Sequence, residues 1–326
     1  MRESSEILER LVAGDRAALA RAITWAESGD ARFRDVLSGV NEHVGRGWRV
    51  GVTGPPGAGK STLTNELINA HRDAGRTVGV VAVDPSSPFT GGALLGDRIR
   101  MDGRTSDEGV FIRSMATRGG HGGIARATVD AVDAMDAFGL DELLIETVGV
   151  GQAEYDVVGA ADTVLVVLCP GAGDGVQALK SGILEVADVL CVNKADLTGA
   201  DRLVSDLEEA VELRAHEPHE GWVTPVVSCS AGKSEGVDGV LAALASHREW
   251  LEDGRLEEHR KARRLAQVRR AVIEAVDTEL WETAGWRDRA HDLLETGEPH
   301  YDVVISLIDE LRAAVREAAG GSTTEA

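Results

Sequence analysis

The stretch from Trp48 to Thr62 constrains this chain more than any other. Trp48 to Thr53 is an alternating apolar run that reads as a strand. It feeds Gly54-Pro55-Pro56-Gly57-Ala58-Gly59-Lys60-Ser61-Thr62, and a helix-forming run follows from Thr62 to about Arg72. Strand, G-x-x-x-x-G-K-[ST] loop and helix in that order make a site for a nucleoside triphosphate. Successive backbone N–H groups must wrap an anionic phosphate chain, and side chains there would block its approach. Gly54, Gly57 and Gly59 keep the loop bare, Lys60 brings positive charge to the β- and γ-phosphates, and Ser61 offers a hydroxyl to magnesium. The following helix adds its positive dipole end. The loop alone does not choose the base.

Beyond the loop, 326 residues leave room for one large α/β domain with extensions or for two domains. Apolar residues make up 43% of the chain, yet no run approaches the roughly 20 needed to span a membrane. The charged start Met1-Arg2-Glu3-Ser4-Ser5-Glu6 is unlike a signal peptide, so a cytoplasmic protein is expected. Thirty-four Lys and Arg against 55 Asp and Glu give a net charge of −21, which repels nucleic acid and anionic lipid. Cys169, Cys191 and Cys229 each fall in a predicted strand and read as small buried hydrophobes rather than disulfides or metal ligands.

Apolar spacing over Ser4 to Glu27 predicts an N-terminal helical arm, followed by Ser28-Gly29-Asp30 and a second helical stretch toward Val44. Strands are expected at Thr77–Val83, Gly109–Ile112, Glu142–Thr147, Thr163–Cys169, Val189–Asn193 and Thr224–Cys229, with helices between them. Apolar throughout and separated by helices, they predict an α/β fold: a P-loop NTPase with a mainly parallel sheet covered on both faces. From Val237 the pattern is helical to a Gly-Ser-Thr tail. The expected organisation is a helical arm at 1–45, a nucleotide-binding domain at 46–250, a helical extension at 251–319 and a disordered tail at 320–326. Arg255 to Arg270 is locally basic, and with Leu265, Val268, Val272 and Val276 at helical spacing it reads as the solvated basic face of an amphipathic packing helix.

Asn193-Lys194-Ala195-Asp196 follows directly on the apolar run Val189 to Val192 and matches N-K-x-D. Guanine presents two donors, N1–H and the 2-amino group, that one carboxylate accepts together; adenine presents no equivalent pair. Asp196 is therefore the base selector, with Lys194 along the base plane and Asn193 tying this loop to the phosphate loop. Ser230-Ala231-Gly232 resembles the S-A-x loop whose backbone N–H donates to guanine O6. The nucleotide-binding set is thus Gly54 to Thr62, Asn193, Lys194, Asp196, Ser230, Ala231 and Gly232.

Three acids at strand ends or in loops can face Ser61: Asp84, Asp97 and Glu146. Magnesium on a triphosphate needs only one or two protein carboxylates, so some of these act through water. Glu146-Thr147-Val148-Gly149 stands where D-x-x-G is usual, with Gly149 placed to sense the γ-phosphate. No glutamine follows Gly149 directly; Gln152 is the nearest, which points to slow hydrolysis awaiting a partner. Lys60, Glu146, Gly149 and Gln152 are the catalytic candidates. Arg113, Arg118 and Arg126 are open candidates for a cation supplied in cis.

Gly54 to Ser61, Val83-Asp84-Pro85-Ser86-Ser87, Thr90 to Arg98, Phe111-Ile112-Arg113, Gly122 to Arg126, Glu146 to Glu154 and Pro170 to Asp174 together resemble the G3E-class GTPases of the MeaB/ArgK type. These are the methylmalonyl-CoA mutase-associated GTPases, and the likeness runs from about Trp48 to Ala231. It implies a homodimeric GTPase that binds GTP and GDP with Mg2+ and chaperones an adenosylcobalamin-dependent acyl-CoA mutase. It further implies that Asp84, Asp97 and Glu146 are the magnesium-associated acids, that Asp174, Gln177 and Lys180 lie in a loop facing the mutase, and that terminal helices build the dimer. A nickel-insertion GTPase is the alternative, but the nine histidines are scattered, with only His216 and His219 close together. A regulatory GTP-binding module with little hydrolysis is a third reading. No kinase substrate motif is visible.

Overall fold

Hydrophobic strands separated by helices form one sheet because a parallel ladder must be covered on both faces. The computed structural model describes residues 2–84, 107–116, 123–147, 159–171, 183–214 and 221–321. Its strands are β1 (Trp48–Thr53), β2 (Val78–Asp84), β3 (Val110–Ala116), β4 (Glu142–Glu146), β5 (Thr163–Leu168), β6 (Val189–Val192) and β7 (Val226–Ser228). They are ordered β3-β2-β4-β1-β5-β6-β7, and every pairing is parallel. All residues of β1, β4, β5 and β6 are buried, which is why these strands read as continuous apolar runs.

The chain builds outward from β1 in both directions, so the switch in strand order falls beside β1. Ligands of such sheets bind at this point, beyond the carboxyl ends of the strands. One face of the sheet is covered by α4 (Lys60–Asp73) and α7 (Val237–Glu252), with Leu63, Leu67 and Leu244 packed against Val50, Val52 and Leu165. The other face near β2 and β3 is covered by α5 (Gly123–Phe138), with Ala131 and Met135 against Val81 and Ile145. The helix α6 (Ala200–Arg214) packs Leu203 and Leu207 onto β5 and β6.

The N-terminal arm is helical, but it breaks once more than the stretch over Ser4 to Glu27 and the second stretch toward Val44 predict. It is three helices: α1 (Arg2–Val12), α2 (Arg16–Ser28) and α3 (Ala31–Val40). Gly14 turns with a φ of 86°, and the Asp15 carboxylate then accepts from the N–H groups of Ala17 and Ala18, capping a new helix. Leu11, Leu19, Ile23, Phe33 and Val36 join the core of α5. On α2, Arg16 donates to the carbonyls of Glu108 and Val110 at 2.7 Å each and so occupies the start of edge strand β3.

The basic stretch also departs from expectation. Helix α8 (Leu256–Thr278) carries it, but Arg260 and Arg263 are not solvated. Arg260 donates to both carboxylate oxygens of Asp162, at 2.9 and 2.8 Å, and Arg263 adds a bond of 2.6 Å to the same group. Asp162 also accepts the Arg49 backbone N–H at the foot of β1, and it is fully buried. Burial would raise its pKa, but Arg260, Arg263 and Arg49 outweigh that and hold the carboxyl below its usual range. The apolar residues of α8, read as a packing stripe, are exposed: no residue of this helix is buried.

Contacts divide the chain into Met1–Arg264, which holds the N-terminal helices and the sheet, and Leu265–Ala326. The second unit contains the end of α8, then α9 (Trp286–Glu295) and α10 (His300–Gly321). Its small core is Ala290, Val303 and Leu307 with Trp286 and Leu293 against them. Helix α10 continues through Gly321, so the first two residues assigned to the tail are helical; 322–326 lie outside the described residues. Among the described residues no helix is long and apolar enough to cross a membrane.

Candidate functional site

At the carboxyl end of β1 the backbone must turn sharply, and Gly54 makes the turn with a φ of 134°. A Cβ there would lie 2.0 Å from the Val167 carbonyl oxygen, so no other residue fits. Gly59 is constrained on the other side of the loop: at a φ of 89° its Cβ would meet Asn193 Nδ2 at 2.4 Å. Between them Lys60, almost wholly buried, curls back so that Nζ donates to the carbonyls of Gly54 at 2.7 Å and Pro55 at 3.1 Å. Gly59 is the cap of α4 and no side chain closes that helix end, leaving its first turn as an anion-binding surface.

Strand β4, next to β1, places Glu146 beside Val52 in register. From there the Glu146 Oε1 accepts a hydrogen bond of 2.5 Å from the Ser61 hydroxyl. A hydroxyl and a carboxylate held together at the phosphate loop form a hard-oxygen donor set of the kind magnesium takes. Asp84 ends β2, opposite Ala116 of β3. Asp97, Gly149, Gln152 and Arg118 lie outside the described residues, as do Asp174, Gln177, Lys180, His216 and His219.

Asn193 is the junction of the two nucleotide loops. Its Nδ2 donates to the Ala58 carbonyl at 2.8 Å, and its Oδ1 accepts from the backbone N–H groups of Lys194 at 2.8 Å and Ala231 at 3.0 Å. The tie expected between this loop and the phosphate loop is present. Lys194, at a φ of 57°, extends Nζ to the Gly57 carbonyl at 2.7 Å. The backbone N–H of Asp196 donates to the Ser230 hydroxyl at 3.1 Å, which binds the N-K-x-D turn to the S-A-G turn. A Cβ at Gly232 would meet nothing within 4 Å.

Sequence reasoning missed Lys233. Its Nζ lies 3.0 Å from Asp196 Oδ2, and this bond, with that of Ser230, holds the Asp196 carboxyl below its usual range. A lysine directly after Ser230-Ala231-Gly232 was the available signal.

Two of the arginines held open as cis cations have other partners. Arg113 donates to the Glu27 carboxylate of α2, with a further bond of 3.2 Å to Thr24 Oγ1. Its guanidinium serves to fix β3 to the N-terminal arm. Arg126 is half exposed, 4.0 Å from Asp130 on the same helix. The cysteines are free and buried, as expected, although Cys169 and Cys229 fall just past their strands. Cys191 and Cys229 bring their sulfurs to 3.4 Å.

A phosphate loop leaving the central strand of a parallel sheet, joined through Asn193 to an N-K-x-D turn two strands away, defines a P-loop GTPase. The family model described as methylmalonyl Co-A mutase-associated GTPase MeaB matches residues 19–284. The chain belongs to that family. A Pyrococcus abyssi relative is 49% identical over 269 residues, covering 82% of this chain and 83% of that protein. The Escherichia coli GTPase ArgK is 34% identical over 279 residues, 83% of this chain and 84% of its own. A Mus musculus protein named methylmalonic aciduria type A homolog, mitochondrial, is 38% identical over 244 residues, 70% of this chain and 59% of that one. Among solved structures, a LAO/AO transport system kinase superposes with a TM-score of 0.73 at 26% identity, covering 95% of this chain and 97% of that chain.

Proposed function

We propose that this chain binds GTP with Mg2+, hydrolyses it to GDP and phosphate, and uses that cycle to chaperone an adenosylcobalamin-dependent methylmalonyl-CoA mutase during cofactor loading or protection. The observation that carries the nucleotide part is Asn193, whose amide joins the base-selecting turn to the phosphate loop at Ala58. The family description, which names a methylmalonyl-CoA mutase, supports the mutase as partner.

In this reading the backbone of Gly54 to Ser61 wraps the β-phosphate, Lys60 turns its ammonium from loop carbonyls toward the β- and γ-phosphates, and Asp196 accepts N1–H and the 2-amino group of guanine. The Ser230-Ala231-Gly232 turn supplies the backbone N–H that donates to guanine O6. Ser61, Asp84, Asp97 and Glu146 hold magnesium directly or through water, and the ion neutralises charge on the β- and γ-oxygens when bound. Gly149 senses the γ-phosphate and Gln152 orients water. The protein works as a cytoplasmic homodimer, in which the exposed apolar residues Val268, Val272, Ile305 and Ile308 of α8 and α10 are covered.

The test is affinity capture with the full chain loaded with GTP or GDP. Recovery of a cobalamin-dependent mutase supports the reading, and its absence from both captures overturns it.

A further inference from the structure

Two adjacent residues at the exit of β4 hold the two ends of the phosphate loop. Glu146 and Thr147 point to opposite faces of the sheet, as consecutive residues of an extended chain do. On one face Glu146 receives the Ser61 hydroxyl, at the far end of the loop. On the other, the Thr147 hydroxyl lies 3.0 Å from Thr53 Oγ1, the last residue before the loop begins. The Thr147 backbone N–H also donates to the Val52 carbonyl, which carries the β1–β4 ladder one residue beyond Glu146.

Both threonines are almost fully buried, Thr53 at 0% and Thr147 at 4% exposure. Their neighbours Val52, Ile145 and Val166 are apolar, and valine has the same shape. A hydroxyl in such a place costs free energy unless it is paired, so two paired hydroxyls at this one crossing require an account. A slip of β4 against β1 would separate Glu146 from Ser61, and the Thr53–Thr147 bond resists that slip at the point where both strands become loop.

We propose that Thr147 and Thr53 are positioning residues for GTP hydrolysis: their hydroxyl pair fixes the exit of β4 against the exit of β1 and so sets the distance between Glu146 and Ser61. This rests on the reading of Ser61 and Glu146 as magnesium-site residues. The role of the two threonines is exerted through Glu146.

The test compares Thr147→Val, Thr53→Val, the double variant and Thr147→Ser in the full chain, with Thr128→Val, a buried threonine of α5, as control. Magnesium titrations of GTP turnover are expected to show kcat reduced about tenfold in each valine variant, since small displacements of reacting groups are costly. Half-saturating magnesium should rise while GDP affinity in EDTA stays near the parent; Tm should dip in the single variants, whose remaining hydroxyl is left unpaired, and recover in the double variant although its kcat does not. The double variant should be no worse than either single one, and Thr147→Ser should restore the parent profile. Valine variants with the parent's kcat and magnesium dependence overturn the inference, as do losses that recover with Tm in the double variant or that Thr128→Val shares. If the parent chain itself shows no magnesium-dependent turnover, the functional reading fails instead, which keeps the two failures distinct.

Discussion

Arg260 lays its guanidinium along both carboxylate oxygens of Asp162, joining helix α8 to the foot of β1 far from the nucleotide loops. The same guanidinium donates to the carbonyls of Gly45, at 2.6 Å, and Gly47, at 3.1 Å, so the linker into β1 is held as well. Asp162→Ala would leave Arg260 and Arg263 without their buried counter-charge. Removing one partner of a buried pair typically costs about 3–5 kcal/mol. Urea denaturation of the variant should show a loss of that order. A loss below about 1 kcal/mol, the range of exposed pairs, would contradict the buried assignment.

Buried His247 and half-buried His71 set an acid limit on stability. Burial, with the charges of Arg76 and Arg248, pushes His71 down to about 4 from 6.5. Burial does the same to His247, also to about 4, where its Nδ1 meets the Thr163 hydroxyl at 2.9 Å. Between these limits the unfolded chain binds protons that the folded chain refuses, so stability is full above about pH 6.5 and falls as pH drops toward 4. Each site should contribute about 1–3 kcal/mol over that window. Denaturation at pH 4.5 and 7 should give a steeper fall for the parent than for a His71→Gln, His247→Gln variant; equal slopes would refute this.

Lys60→Ala should abolish nucleotide binding, because the loop loses its fixed positive charge. Asp196→Asn should move preference from guanine to xanthine nucleotides, whose 2-oxo group suits an amide donor. Fluorescent-nucleotide titrations with GTP and XTP read both effects. An Asp196→Asn variant that still prefers GTP would show that the base pocket is assigned to the wrong residue.

Asn193→Ala should weaken GTP and GDP binding by about 1–3 kcal/mol, the cost of leaving buried backbone partners unsatisfied. The loss should be accompanied by slower discrimination at Asp196, because the two loops are no longer tied through Ala58. Isothermal titration against the parent measures it, and an unchanged Kd would contradict the tie.

If the exposed apolar residues of α8 and α10 are dimer surface, Val268→Asp with Val272→Asp should give a monomer by light scattering while nucleotide binding persists. A parent chain that is itself monomeric would remove the dimer from the account.

How legible was all this in the sequence? The loop at Gly54 to Ser61 and the turn at Asn193 to Asp196 are constrained by contacts with each other, Asn193 to Ala58 and Lys194 to Gly57, so their spacing survives as a pattern. The strands were legible because burial on both faces forces unbroken apolar runs such as Val189 to Val192. The break between α1 and α2 was missed because Gly14-Asp15 is a two-residue signal inside a continuous helical periodicity. Arg260 and Arg263 were misread because an arginine in sequence looks solvated until its carboxylate, 98 and 101 residues earlier, is brought beneath it. Lys233 and the Thr53–Thr147 pair depend on contacts between loops that no local spacing encodes.

The most direct test of the central claim is GTP turnover by the full chain at saturating Mg2+, measured with and without an adenosylcobalamin-dependent methylmalonyl-CoA mutase. The account predicts slow turnover alone, in keeping with the absence of a glutamine directly after Gly149, and a clear rise in kcat when the mutase is added. Tight GTP binding with a rate unmoved by the mutase would contradict it and leave a GTP-binding module without that partner.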